Sequence, residues 1–407
     1  MSRIVVVGAS LAGLTAVETL REEGFDGELV LINGETHNGY DRPPLSKKVL
    51  SGVMTESEVM LKSSDFFVTN RIDHRIATYA KALDLNARTV ALGSGEVLAF
   101  DGLLVATGLR PRPLPRQPVL RGVHMLRTLD DAIALRADMM KEKVLKATAY
   151  AGTTSGSLAI VIVGAGLLGC EVAATARQMG LQVILVDPLE LPMARQVGRE
   201  LAGALVRKHM HQGVDVRCRR SVSSFQENKG QLSGVTLDDG TQIPTRIVVV
   251  TIGSLTNTEW LQSSGVPLDN GVVCDSFCRA APGVYAAGDV ASWLHPRLGV
   301  QMRLEHRMHA TQQAMAAARN MLGADIAFDS LPYFWTDFYD TRIQVYGRIP
   351  AEYEMTVLSG HLGESNYTAA FSRGGIVEAV AGWNAGRDIH KISILVGKPA
   401  LKGVVAV

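Results

Sequence analysis

Two short stretches decide the fold of this chain. Residues 4–13 read Ile-Val-Val-Val-Gly-Ala-Ser-Leu-Ala-Gly, and residues 160–169 read Ile-Val-Ile-Val-Gly-Ala-Gly-Leu-Leu-Gly. Each stretch begins with an apolar, β-branched run, which is typical of a strand buried on both faces of a parallel sheet. Each then passes through a glycine-rich turn into a helix pattern. Two such strand–turn–helix units predict two nucleotide-binding domains.

The first turn matches the dinucleotide pattern Gly-x-Gly-x-x-Gly, except that a serine stands where the second glycine is usual. A helix N-terminus at this place favours binding of phosphates. Glu35 follows the second strand, Leu29–Ile32, and a carboxylate there can accept hydrogen bonds from both ribose hydroxyls. The residues predicted to bind at this turn are Gly8, Ser10, Gly13 and Glu35.

The second turn matches the pattern completely, and Asp187 ends its second strand, Val183–Val186. A carboxylate at this position favours the ribose hydroxyls of NADH and repels the 2′-phosphate of NADPH. The next arginine along the chain is Arg195. A chain with two dinucleotide sites is usually a flavoprotein reductase, with FAD at one site and a nicotinamide donor at the other. The residues predicted to bind here are Gly164, Gly166, Leu167, Gly169 and Asp187.

Composition limits the partners that we expect. The chain has 407 residues with 41 Lys and Arg against 40 Asp and Glu, a formal net charge of +1. Nucleic acids and anionic membranes both reward a basic excess, so we expect neither as a partner. Four cysteines without a framework spacing, and no signal-peptide pattern at the start, favour a cytoplasmic location. No metal-ligand spacing of His and Cys is present in the sequence.

The order of strand and helix patterns predicts an α/β fold divided into consecutive segments. We expect a first nucleotide-binding domain in residues 1–112 that resumes in 243–325, a second in 113–242, and a C-terminal domain in 326–407. Residues 141–157 are expected to form an exposed connection. Aromatic residues cluster from Tyr333 onwards, which indicates a separate, β-rich C-terminal domain.

Further motifs carry a resemblance to a known family. The chain resembles the FAD-dependent NAD(P)H:ferredoxin reductases of the putidaredoxin reductase and Rieske dioxygenase type, within the glutathione-reductase-like flavoproteins. The resemblance covers residue 4 to about 350 and fades beyond. The motifs, in family order, are Tyr40–Lys47, Ala106–Gly108, Leu126–Ala132, Gly164–Glu171, Tyr285–Asp289 and Tyr333–Asp337.

This resemblance implies two Rossmann-like dinucleotide-binding domains of the glutathione reductase type plus an α+β C-terminal domain. It implies an enzyme that passes electrons from NADH through FAD to a [2Fe-2S] ferredoxin, which supplies a P450 or Rieske oxygenase. Residues 36–60 contain no cysteine, whereas thiol-dependent reductases of this fold carry theirs there. Alternatives left open are a rubredoxin reductase, an NADH:acceptor diaphorase, and an NADH-responsive scaffold resembling apoptosis-inducing factor.

The resemblance also implies individual roles. Lys47 would lie near the flavin edge and Glu171 in the nicotinamide pocket, and we expect the two to pair across the domain boundary as the catalytic residues. Asp289 would accept a hydrogen bond from a ribityl hydroxyl at the start of a helix. The remaining residues implied to contact FAD are Ala12 at the pyrophosphate, Ala80 at the adenine, Arg42, Arg127 near the phosphates, Ala106, Thr107, Gly108 and Gly288.

The chain departs from its family at one position over the flavin. Many relatives carry a tryptophan three residues after the arginine of Arg303-Leu304-Glu305, where this chain has His306 followed by Arg307. We therefore expect a cation, Arg307, near the pyrimidine end of the flavin instead of an aromatic ring. Because the net charge is near zero, steering of an acidic ferredoxin requires a local basic patch. Arg307, Arg342 and Lys391 are the residues predicted to form it.

Overall fold

The structure is a computed structural model that describes residues 1–149 and 158–400. The strands, in chain order, are β1 (Arg3–Val7), β2 (Glu28–Ile32), β3 (Ile72–Arg75), β4 (Ala80–Asp84), β5 (Thr89–Leu92), β6 (Val97–Ala99), β7 (Gly102–Val105), β8 (Leu109–Pro111), β9 (Val123–Met125), β10 (Ile160–Val163), β11 (Val183–Asp187), β12 (Val214–Cys218), β13 (Val222–Asn228), β14 (Gln231–Leu237), β15 (Gln242–Pro244), β16 (Val248–Val250), β17 (Ser254–Thr256), β18 (Val272–Cys274), β19 (Arg279–Ala281), β20 (Val284–Ala286), β21 (Ala291–His295), β22 (Val300–Arg303), β23 (Tyr333–Phe338), β24 (Thr341–Gly347), β25 (Glu354–Ser359), β26 (Tyr367–Arg373) and β27 (Ile376–Trp383).

The α-helices are α1 (Leu11–Glu22), α2 (Ser64–Thr69), α3 (Leu129–Ala149), α4 (Leu167–Gln178), α5 (Ala194–Val197), α6 (Arg199–His211), α7 (Arg307–Met321) and α8 (Asp388–Ile392). One turn of π-helix covers Leu45–Val49, and 3₁₀ turns cover Glu259–Leu261 and Ser393–Leu395. Within residues 1–149 and 158–400, the helices are too short or too polar to cross a membrane.

The chain divides into two compact units. The first comprises Met1–Asp41, Ser57–Arg110 and Ser254–Pro332, and the second comprises Arg42–Glu56, Pro111–Gly253 and Tyr333–Val407. In both units the chain leaves and returns, as expected when one domain is inserted into another.

The first unit is built on a sheet with the strand order β19-β20-β7-β1-β2-β3. Strands β7, β1, β2 and β3 run parallel, with Val7 opposite both Ile32 and Val105. Val5 and Val6 are fully buried because the sheet is covered on both faces. The carboxyl ends of the parallel strands therefore meet at one edge, next to the turn into α1.

The second unit repeats this plan with the strand order β12-β11-β10-β16-β9, all parallel. The unit also contains an antiparallel sheet with the order β23-β24-β27-β26-β25, followed by α8. These arrangements confirm the α/β fold with two Rossmann-like regions and an α+β C-terminal part.

One predicted helix is wrong. The segment after Asp289 forms β21, which turns back through Gly299 (φ +63°) into the antiparallel strand β22. Trp293 is fully buried within this hairpin, which explains why the apolar run extends as a strand. The next helix, α7, starts only at Arg307, so Asp289 does not begin a helix.

The connection predicted for residues 141–157 is also shorter than expected. Helix α3 continues to Ala149, and residues 150–157 lie outside the described part of the chain. Glu142 explains the continuation, because its buried carboxylate accepts a hydrogen bond from Arg246 at 3.0 Å. This ion pair ties the middle of α3 to the sheet of the second unit.

Candidate functional site

The turn between β1 and α1 requires its glycines. Gly8 has φ +111°, and a Cβ there would lie 2.2 Å from the carbonyl oxygen of Ala106. A Cβ on Gly13 would lie 1.7 Å from the carbonyl oxygen of Gly8. Ser10 is the N-cap of α1 and has an extended backbone. The turn thus directs the N-terminus of α1 to the carboxyl edge of the sheet, where helix and sheet together favour an anion.

Two predicted motifs close around this turn within the first unit. Gly288 packs on α1, since a Cβ there would lie 3.0 Å from the Cβ of Ala12, and its N–H donates to Gln313 at 2.9 Å. Thr107, at the end of β7, exchanges hydrogen bonds with Asn257 at 2.8 and 2.9 Å. The neighbouring Gly108 accepts from the backbone N–H of Asn257 at 3.1 Å. The edge is therefore rigid.

Glu35 lies where the sequence places it, half-buried just beyond β2. Its carboxylate accepts a hydrogen bond from the hydroxyl of Tyr40, a buried residue at the start of the Tyr40–Lys47 motif whose contact with Glu35 the sequence did not indicate. Its backbone carbonyl accepts from Ala77 at 3.0 Å. This bond brings the segment that leads to Ala80, the first residue of β4, beside Glu35. A ribose and a purine base can therefore be recognised at one place.

Asp289 lies near His306, the N-cap of α7, and Arg307 is the first residue of that helix. The backbone carbonyl of Asp289 accepts from Arg303 at 3.0 Å, and Arg307 pairs with Asp41 at 2.7 Å. Burial lowers the pKa of His306 to about 4, opposed by the charge of Asp289. His306 is thus neutral at the start of α7, and the cation at this end belongs to Arg307.

In the second unit the turn between β10 and α4 has the same geometry. Gly164 has φ +102° with its Cβ position 2.5 Å from the carbonyl oxygen of Thr251, and the Cβ position of Gly169 is 1.9 Å from the carbonyl oxygen of Gly164. Gly166 differs, because φ is −71° and its Cβ would meet nothing within 4 Å. Neither strain nor packing within the protein requires a glycine there. In the dinucleotide-binding pattern, a glycine at this position allows the backbone to approach a pyrophosphate closely.

Asp187 is buried at the end of β11, and its carboxylate is fixed by the backbone. One oxygen accepts from the N–H of Ala165 at 2.7 Å and the other from the N–H of Leu189 at 2.8 Å. The carboxylate therefore contacts the glycine turn between β10 and α4, the helix that begins at Leu167.

Lys47 and Glu171 form an ion pair of 2.8 Å. The pair does not cross from one unit to the other, as we expected, because both residues lie in the second unit. The same carboxylate accepts from Ser46 at 2.6 Å and from Thr336 at 2.9 Å. Three separate segments, the π-helix, α4 and β23, thus meet at one glutamate that is 11% exposed. The contribution of Thr336 was not apparent from the sequence, because β23 lies far along the chain.

Arg42 and Arg127 also lie together in the second unit. A guanidinium N–H of Arg42 donates to the backbone carbonyl of Arg127 at 2.7 Å. The backbone N–H groups of Arg127 and Thr128 donate to Asp131 at 3.0 and 2.8 Å. This network fixes the start of α3 beside the segment that carries Arg42.

The predicted site residues therefore fall into two groups. The first unit brings together Gly8, Ser10, Ala12, Gly13, Glu35, Ala80, Ala106, Thr107, Gly108, Gly288, Asp289 and Arg307. The second unit brings together Arg42, Lys47, Arg127, Gly164, Gly166, Leu167, Gly169, Glu171 and Asp187.

The three cations predicted to form a docking patch are each neutralised by a carboxylate. Arg307 pairs with Asp41 at 2.7 Å, Arg342 with Asp337 at 2.6 Å and Lys391 with Asp388 at 2.7 Å. Each pair carries little net charge, so these residues steer a partner less than the sequence suggests.

The cysteine thiols are placed for packing. All four are free, and Cys170, Cys274 and Cys278 are buried. Burial raises the pKa of the Cys274 thiol to about 12, which keeps it protonated and unreactive. Within residues 1–149 and 158–400, His, Cys, Asp and Glu form no cluster of three that could hold a metal ion.

Comparison with known proteins decides the family. The model of the pyridine nucleotide-disulphide oxidoreductases matches residues 2–317. The chain belongs to this family. A second model, the reductase C-terminal domain, matches residues 333–400, so the resemblance extends well beyond the limit of about residue 350 that the motifs suggested.

Relatives within the pyridine nucleotide-disulphide oxidoreductases include ferredoxin reductases. The ferredoxin–NAD(+) reductase component of the biphenyl dioxygenase system of Paraburkholderia xenovorans is 34% identical, over 97% of this chain and 93% of its own length. Rhodocoxin reductase of Rhodococcus erythropolis is 33% identical, over 84% of this chain and 78% of its own. The reductase in the covalent putidaredoxin reductase–putidaredoxin complex superposes with a TM-score of 0.90 at 27% identity, covering 98% of this chain and 93% of that one.

Proposed function

We propose that the chain is an NADH-dependent ferredoxin reductase that carries FAD and reduces a [2Fe-2S] ferredoxin serving a P450 or Rieske oxygenase. The observation that carries the proposal is the pair of glycine turns, each with a carboxylate at the end of the following strand. Relatives named as ferredoxin–NAD(+) reductase components of dioxygenase systems support the choice of acceptor. The absence of cysteine from residues 36–60 argues against transfer through a thiol.

The first unit fits FAD. The N-terminus of α1 can receive the pyrophosphate at Ser10, and Ala12 is small enough to allow a close approach. Glu35, held by the Tyr40 hydroxyl, can accept from the ribose. The other contacts that we propose in this unit are the backbones of Ala80, Ala106, Thr107, Gly108 and Gly288, with Asp289 at a ribityl hydroxyl and Arg307 at the pyrimidine end.

The second unit fits a nicotinamide dinucleotide. Gly166 leaves room for the pyrophosphate at the N-terminus of α4, and Asp187 can accept from the adenosine ribose. Glu171 is proposed to position the nicotinamide, and Lys47 the flavin edge. Arg42 and Arg127 are proposed to reach the FAD phosphates.

When bound in the first unit, FAD would supply the chemistry of accepting a hydride and of passing on single electrons. The protein contributes position and charge. The Glu171 carboxylate pairs with the side chain of Lys47, and the hydroxyls of Ser46 and Thr336 donate hydrogen bonds that fix the carboxylate. A fixed cation at a place where negative charge develops lowers the cost of that charge. We further propose a cytoplasmic location, where NADH is available and the four free cysteines stay reduced.

Steady-state reduction of cytochrome c tests the proposal. With NADH and the FAD-loaded protein, turnover should be fast only when a [2Fe-2S] ferredoxin is added. Rubredoxin in place of ferredoxin provides the matched acceptor control. Equal rates with rubredoxin would favour a rubredoxin reductase, and equal rates without either carrier would favour a diaphorase. A protein that takes up NADH but turns over with none of them would contradict an enzymatic role.

A further inference from the structure

Two arginines lie beside Asp187 although they are distant from it in sequence. Strand β12 pairs in parallel with β11, which places Cys218 opposite Asp187. The backbone N–H of Arg220 donates to the carbonyl of Asp187 at 3.1 Å, and that of Arg219 donates to the carbonyl of Leu189 at 3.2 Å. No arginine closely follows Asp187 in sequence, but Arg219 and Arg220 bring two positive charges to this edge of the sheet.

Both guanidinium groups are held by carboxylates. Arg219 pairs with Glu190 at 2.5 Å, and Arg220 pairs with Asp239 at 2.7 Å. The side chains of Arg219 and Glu190 are 66% and 69% exposed, so they form the outer rim of the edge. This edge of the sheet therefore carries three carboxylates, those of Asp187, Glu190 and Asp239, and two cations, those of Arg219 and Arg220.

We propose that Glu190 is a specificity-determining residue that excludes the 2′-phosphate of NADPH, an inference that rests on the nicotinamide site of the proposed function. A 2′-phosphate on the adenosine ribose would meet the carboxylates of Asp187 and Glu190 together. Arg219 has the planar donor pair that binds phosphate well, but Glu190 occupies it. The site therefore rejects NADPH by repulsion and by denying it a free cation.

The test measures nucleotide binding to the FAD-loaded protein by calorimetry, with 5′-AMP and 2′,5′-ADP as probes. Glu190→Gln should leave the affinity for 5′-AMP unchanged and raise that for 2′,5′-ADP about threefold to tenfold, because an exposed ion pair is worth little more. High salt should remove the gain. The ratio of kcat/KM for NADPH to that for NADH should rise by a similar factor.

Asp215→Asn is the matched control. It removes one negative charge from an arginine pair on the same strand, Asp215 with Arg217 at 2.8 Å, nearer the start of β12. Its affinity for 2′,5′-ADP should stay at the wild-type value. Adding Arg219→Ala to Glu190→Gln should reduce the gain, since Arg219 is the released donor, and leave only the part that comes from the lost repulsion.

The outcomes separate the two proposals. Normal NADH turnover and 5′-AMP binding without any gain in Glu190→Gln would overturn the role of Glu190 alone. A gain of undiminished size in the double variant would overturn the part assigned to Arg219, and one of equal size in Asp215→Asn would overturn the role of Glu190 as well. A wild-type protein that neither oxidises NADH nor binds 5′-AMP would overturn both the role of Glu190 and the proposed function.

Discussion

Thr336→Val removes one of the three hydrogen bonds to Glu171. The Thr336 hydroxyl donates to the Glu171 carboxylate at 2.9 Å, and its side chain is 1% exposed. Valine has nearly the same shape, so packing in β23 is kept while the donor is lost. Lys47 and Ser46 still hold the carboxylate from other directions.

The magnitude follows from these contacts. A hydrogen bond to a charged group contributes about 1.5–3 kcal/mol. Glu171 keeps its two other partners and is 11% exposed, so we expect the lower part of that range, about 1.5–2 kcal/mol. Because this energy fixes Glu171 for the nicotinamide, its loss should slow reduction of the flavin by NADH about tenfold to thirtyfold.

Anaerobic stopped-flow measurement of flavin bleaching by NADH reports the rate. Thr336→Ser keeps the hydroxyl and should restore most of it. Thr368→Val, at another buried threonine of the same sheet, controls for loss of a hydroxyl away from Glu171 and should react at the wild-type rate. A folded Thr336→Val protein that is reduced as fast as the wild type would refute a positioning role for Thr336.

Three further substitutions have distinct expected outcomes. Gly166→Ala should melt at the wild-type temperature but raise the KM for NADH about tenfold, because its Cβ fills space that only a ligand uses. The control Gly203→Ala, on α6, should leave the KM unchanged. An unchanged KM in Gly166→Ala would contradict the proposed nucleotide site. Gly8→Ala should lose more than about 3 kcal/mol of stability or fail to fold, from its φ of +111° and the 2.2 Å overlap with Ala106, as thermal unfolding would reveal. Burial lowers the pKa of His209 from 6.5 to about 4, so between these pH values the unfolded chain binds a proton at this histidine that the folded chain does not. The free energy of unfolding should therefore fall as the pH drops from about 6.5 to 4, by up to about 3 kcal/mol. His209→Gln should flatten this pH dependence in melting curves, and an unaltered slope would show that other groups cause it.

The sequence predicts the two nucleotide-binding regions well because their signals are local. The helix pattern predicted after the first glycine turn corresponds to α1, Leu11–Glu22, and the apolar run that begins at Ile160 forms β10, Ile160–Val163. In these stretches the apolar runs and the glycines point to the same fold.

The parts that the sequence does not predict depend on distant pairing. An apolar run after Ala-Gly-Asp suits a helix start, and only β22 and the buried Trp293 make it a hairpin. Arg219 reaches the neighbourhood of Asp187 through a parallel strand pair, and Thr336 reaches Glu171 from the C-terminal sheet. Such contacts have no local pattern.

The most direct test of the central claim is a titration of electrons under anaerobic conditions. The FAD-loaded protein is mixed with a known amount of NADH and an excess of oxidised [2Fe-2S] ferredoxin, and reduced cluster is counted from its absorbance. Because a hydride carries two electrons and the cluster accepts one, we predict two ferredoxins reduced for each NADH consumed. NADH consumption that leaves the ferredoxin oxidised would contradict the account.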